Sequence, residues 1–87
     1  MTGKRIPVVV PDVGTGDDAI CITAWLVDQG DHVFRQEQLL ELMIPGVTFD
    51  LPAPVEGLLV TLARPVGALV SPGETVGWIL PTADADS

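Results

Sequence analysis

Nine glycines and eight prolines are spread through 87 residues rather than pooled in one linker, and they cut the chain into short segments. The runs between the breaks, at 6–10, 19–27, 38–44, 47–51, 57–62 and 75–80, are rich in Val, Ile, Leu and Thr. Short strand signals separated by turn residues predict an all-β barrel or sandwich. The best helical candidate is 36–43, but Pro45-Gly46 would stop it after about two turns, so it reads as a strand.

The chain also repeats itself. Gly30, Val33, Glu37, Leu39 and Leu42 recur as Gly67, Val70, Glu74, Val76 and Ile79 at a constant offset of 37 residues, and Ile22 and Leu59 share the same offset. Each half reads strand, glycine-initiated turn, short strand, turn, strand. Neither half can close a core alone, which favours two halves packed about a pseudo-two-fold axis. A chance likeness of two hairpins is the alternative.

One small domain is all that this length allows. At 47% hydrophobic and 18% charged, the composition excludes an intrinsically disordered chain. Twelve acidic against four basic residues leave a net charge of −8, which repels phosphate backbones and anionic lipid and so disfavours nucleic acid and membrane surfaces as partners. No apolar run reaches the ~18–20 residues of a membrane span, and no signal-peptide core follows Lys4-Arg5. The reading is a soluble, cytoplasmic protein, with a single domain over 6–81, a flexible start at 1–5 and a disordered acidic tail at 82–87. Cys21 is the sole cysteine, and between Ile20 and Ile22 it reads as a small buried or half-buried strand residue. As a nucleophile it would need His32, the sole histidine, as its base.

Four motifs in order resemble the biotinyl/lipoyl-attachment domains, most of all the lipoyl domains of 2-oxo acid dehydrogenase acyltransferases. Pro11-Asp12-Val13-Gly14-Thr15-Gly16 is similar to their Pro-Asp-Ile-Gly-Glu-Gly opening. Trp25-Leu26-Val27 then Gly30-Asp31-His32-Val33 resembles their Trp-Leu-Val and Gly-Asp-x-Val, and Leu51-Pro52-Ala53-Pro54-Val55-Glu56-Gly57 their Ile-Pro-Ser-Pro-Val-x-Gly. The segment 67–73 matches the second Gly-x-x-Val-x-x-Gly. The resemblance implies a barrel-sandwich hybrid: two four-stranded antiparallel sheets related by a pseudo-two-fold axis. It also implies a carrier, with lipoate or biotin in amide linkage to a lysine at a hairpin tip.

That lysine is missing. In the family the acceptor lies 16 residues after the first motif glycine, here Gly30, and 11 before the glycine of Pro-Val-x-Gly, here Gly57; both counts arrive at Gly46. Where lipoyl domains have Asp-Lys-Ala, this chain has Pro45-Gly46-Val47, and its one lysine is Lys4, ahead of the first strand. Covalent lipoate or biotin is therefore not expected. Proline at φ near −65° followed by a glycine that accepts positive φ suits the centre of a type II turn, although type II twist fits a two-residue hairpin poorly and favours a wider tip.

The tip, Met43-Ile44-Pro45-Gly46-Val47, carries no charge. Either Met43, Ile44, Val47 and Phe49 form a docking patch, or alternate residues point inward and only Pro45-Gly46 shows. Asp12, Asp17 and Asp18 flank a glycine loop that lacks the Lys-Ser/Thr of a phosphate loop and the spacing of a calcium loop. By resemblance this loop is a recognition surface beside the hairpin. Trp25, Trp78, Phe34 and Phe49 read as core or edge packing. Asp28, Asp31, Glu37, Glu41, Asp50, Glu56 and Glu74 read as solvated surface, and nothing forms a catalytic constellation.

Three functions stay open. The first is a non-enzymatic interaction or structural module without a carrier lysine, serving a protein partner such as a 2-oxo acid dehydrogenase-type complex, with self-association possible. The second is a lipoyl or biotin carrier whose acceptor is lost or replaced. The third is a small-ligand-binding regulatory domain using the apolar hairpin.

Overall fold

The alternation of β-rich runs and turn residues resolves into eight strands, and the computed structural model describes residues 4–14 and 19–82. In order they are β1 (Ile6–Val9), β2 (Ile20–Trp25), β3 (His32–Val33), β4 (Gln38–Ile44), β5 (Val47–Pro52), β6 (Gly57–Leu62), β7 (Leu69–Val70) and β8 (Thr75–Pro81). They form two four-stranded sheets, β1-β8-β6-β3 and β5-β4-β2-β7, and every pairing is antiparallel. Residues 1–3, 15–18 and 83–87 lie outside the described residues, and with them most of the two ends expected to be flexible or disordered.

The repeat is a true internal symmetry. Shifting β2, β3 and β4 by the 37-residue offset lands on β6, β7 and β8, and β1 and β5 flank β8 and β4 in the same way. Backbone hydrogen bonds come in mated pairs. Gly30 N–H donates to Leu59 C=O at 2.7 Å and Gly67 N–H to Ile22 C=O at 2.7 Å; Leu59 N–H donates to Asp31 C=O at 2.9 Å and Ile22 N–H to Ala68 C=O at 3.0 Å. Ladder irregularities repeat too, between Ile22 and Ala24 and again between Leu59 and Thr61. Chance likeness of two hairpins does not produce matched crossing bonds.

Alternating side chains from both sheets fill one core. Ile22, Leu39 and Leu42 from one half and Leu59, Val76 and Ile79 from the other are fully buried. At roughly 1.5–3 kcal/mol for each fully buried aliphatic side chain, these residues dominate stability in a chain that contributes no buried charge among its described residues. Of the large apolar side chains left exposed among the described residues, Leu69 at 67% and Phe34 at 60% stand out most. Phe34, expected to pack, instead lies edge-on to His32 with ring centroids 4.9 Å apart. Trp25 packs against the core and its indole N–H donates to Arg64 C=O at 2.7 Å, which satisfies the polar end of a half-buried ring.

The two short strands occupy sheet edges opposite the longer ones. Each is preceded by a glycine at positive φ, Gly30 at 98° and Gly67 at 93°, which turns the chain sharply from one sheet to the other.

Candidate functional site

The β4–β5 hairpin has the longest ladder of its sheet, and its tip is the position that the motif spacing singles out. Ile44 pairs with Val47, so the connection is the two residues Pro45-Gly46, narrower than type II twist would favour. Gly46 has φ +86°, the value a type II turn needs at its second central residue, and proline supplies the first. A Cβ on Gly46 would meet nothing within 4 Å, so the space is open while the backbone conformation is one that L side chains rarely adopt. No amine stands there: Lys4 is exposed ahead of β1, a strand of the other sheet.

The side chains around the tip divide between the two sequence-based readings. Met43 and Val47 are exposed at 43% and 51%, whereas Ile44 and Phe49 are half-buried against the core. The tip thus shows more than Pro45-Gly46 and less than a four-residue patch. Met43 shares a rung with Cys21 on one side and Thr48 on the other, and Cys21 pairs with Leu69. This outward-facing row, Leu69–Cys21–Met43–Thr48, is uncharged from edge to edge.

Other candidates fall elsewhere. Asp12 is exposed and its carboxylate accepts the Gly14 N–H at 3.0 Å, an Asx turn closing on itself. Asp17 and Asp18 lie outside the described residues. Cys21 and His32 belong to different sheets, and His32 Nε2 lies 3.1 Å from Glu56 Oε2. The described concavity, about 270 Å³, is lined by Arg35, Val55, Glu56 and Pro81, none of them in the hairpin tip.

Several acidic residues read as mere surface turn out to close turns. Glu37 Oε1 accepts the Phe34 N–H at 2.9 Å, and its symmetry mate Glu74 accepts the Ser71 N–H at 3.1 Å. Glu74 also takes the Arg64 guanidinium at 2.7 Å. The Arg64 hydrogen bond first, then the Ser71 amide, hold the Glu74 carboxyl below its ordinary range. The spacing Phe34/Glu37 and Ser71/Glu74 within the repeat was the available signal for these clamps.

Two symmetric four-stranded sheets with an exposed two-residue hairpin define a carrier-type attachment domain. Residues 6–79 match the biotin/lipoyl attachment family, described as biotin-requiring enzymes, and the chain belongs to that family. It is 34% identical over 83 residues to the dihydrolipoyllysine-residue succinyltransferase component of the 2-oxoglutarate dehydrogenase complex of Rickettsia conorii, covering 95% of this chain and 21% of that protein. It is 32% identical over 82 residues to the acetyltransferase component of the pyruvate dehydrogenase complex of Mycobacterium bovis, covering 94% of this chain and 15% of that protein. Against the lipoamide acyltransferase component of the branched-chain complex of Pseudomonas aeruginosa the identity is 31% over 64 residues, 74% of this chain and 15% of that one. The chain therefore spans about a fifth or less of these relatives' lengths. Domains of this family normally carry covalent lipoate or biotin and are not themselves catalytic.

Proposed function

We propose that this domain works without a prosthetic group, as a protein-interaction or structural module of a 2-oxo acid dehydrogenase-type assembly. The observation that supports the reading is the tip: the motif spacing puts the family's acceptor at Pro45-Gly46, where Gly46 has φ +86° and no side-chain amine. A ligase needs a lysine Nζ there to form its amide, so the residues present do not fit covalent lipoate or biotin. Exposed Met43 and Val47 supply the apolar contact that a charged carrier tip would lack. Relatives that are components of multi-enzyme complexes support a protein partner of that kind.

Co-expression with lipoate ligase and biotin ligase, each with its cofactor, followed by intact-mass measurement tests the reading. The unmodified mass is expected in both cases. A stoichiometric gain equal to either group overturns it.

A further inference from the structure

A sheet edge presents unpaired N–H and C=O groups, and proteins usually blunt it by shortness, proline, bulges or charge. Three of the four edges here are blunted. β3 and β7 have two residues each, and β1 has four with Pro7 inside the strand. β5 has six residues and its only proline is the last, Pro52. Ile44 and Val47 flank a two-residue turn and form a hydrogen-bonded pair, so the bonding alternates and Thr48 and Asp50 aim their backbone groups away from β4.

The chemistry along this edge selects the occupant. Strands β2, β4, β5 and β7 contain no lysine, arginine or histidine. Their two carboxylates, Glu41 and Asp50, face each other on one rung, an arrangement that costs stability between adjacent strands. Glu41 is held by the Thr23 hydroxyl at 2.7 Å, while Asp50 is exposed on the edge strand. A second copy of a chain with net charge −8 would bring like charge against this rung. On the other face of β5, Val47 is 51% exposed and Phe49 half-buried, leaving apolar surface at the edge.

We infer that the β5 edge accepts an extended segment of a partner protein by antiparallel strand addition, with Lys or Arg placed opposite Asp50 and Thr48 and apolar residues beside Val47 and Phe49. The inference rests on the interaction-module reading and names the partner's chemistry. Backbone bonds to Thr48 and Asp50 supply affinity, and the alternation of cationic and apolar side chains supplies selectivity.

The probe is the synthetic peptide acetyl-Lys-Val-Arg-Val-Lys-Val-amide, added to the isotopically labelled chain and followed by amide resonances and hydrogen exchange. The Thr48 and Asp50 amides are expected to slow by about tenfold or more, as newly bonded groups do. N-methylation of the peptide's Lys and Arg residues, which would face β5, should abolish the effect, whereas N-methylation of its Val residues should spare it. Asp50→Lys should weaken binding by about tenfold, the loss of one favourable charge contact and its reversal. Equal binding by both N-methylated peptides, or protection confined to residues outside β5, overturns strand addition. That result leaves the interaction-module reading standing, which only the intact-mass measurement removes.

Discussion

Gln36 and Gly73 stand 37 residues apart at equivalent corners of the two halves, and both have positive φ, 73° and 88°. Their N–H groups donate to mated acceptors, Ala53 C=O and Val10 C=O, at 2.9 and 2.8 Å. One half thus solves the corner with glycine and the other tolerates a strained glutamine. Gln36→Gly is expected to raise stability by about 0.5–1 kcal/mol, strain relief outweighing the added chain entropy. Gly73→Gln should lower it by about 1 kcal/mol. Urea midpoints of the two variants, moving in opposite directions, are the check.

Gly57 and Gly46 separate two reasons for needing glycine. A Cβ at Gly57 would overlap the Leu80 C=O and lie 2.8 Å from Ile79 Cγ2, so Gly57→Ala must push two paired strands apart. A loss of about 3 kcal/mol is expected, against about 1 kcal/mol for Gly46→Ala, where only the turn conformation objects. Comparable losses at the two positions would contradict this account.

Acid should remove what Glu74 contributes. Its carboxyl is held low in the folded state by Arg64 and Ser71, so folding favours the ionised form. The stabilisation is present above the ordinary carboxylate range and is lost as pH falls through the lowered folded value. Glu74→Gln should flatten the acid limb of a stability–pH curve while leaving a loss at neutral pH that shrinks toward low pH. An unchanged slope in that limb would rule the pair out as a contributor. The pair is half-exposed, at 47% and 27%, so salt should reduce the effect.

A lysine grafted onto the tip tests whether the turn backbone by itself admits a lipoate ligase. Gly46→Lys alone places an amine in a turn whose φ of +86° disfavours it. Replacing Pro45-Gly46-Val47 by Asp-Lys-Ala frees the turn to change type. Lipoate ligase should modify the triple variant faster than the single one, as read by mass over time. Equal rates would mean that the turn conformation does not matter.

Much of this architecture is legible in the residues. The constant offset linking Gly30 to Gly67 and Val33 to Val70 carries the pseudo-symmetry, because each pair performs the same turn and the same burial. The six longer strands follow from their apolar runs. β3 and β7 show less clearly, since two residues cannot display a period. The close approach at Gly57 depends on Leu80, which is distant in sequence, and the turn clamps of Glu37 and Glu74 look like ordinary surface acids. The composition of the tip is plain in sequence, but which of its side chains are exposed follows from packing: Met43 turns out and Ile44 in. That β5 is an edge at all is a property of sheet order, which no local pattern encodes.

The pairing of β1 with β8 is the symmetry mate of the β4–β5 hairpin: Ile6 stands opposite Ile79 as Phe49 stands opposite Leu42, and a covalent turn joins the strands only in the β4–β5 pair. Topologically, then, the molecule is a closed loop of eight strands that has been cut at one of two equivalent places. Joining the outer ends of β8 and β1 with a short turn and opening the chain between Pro45 and Gly46 should give a circular permutant with the same pairing, readable by its strand signature and a cooperative melt. In such a molecule the hairpin tip becomes the pair of chain ends.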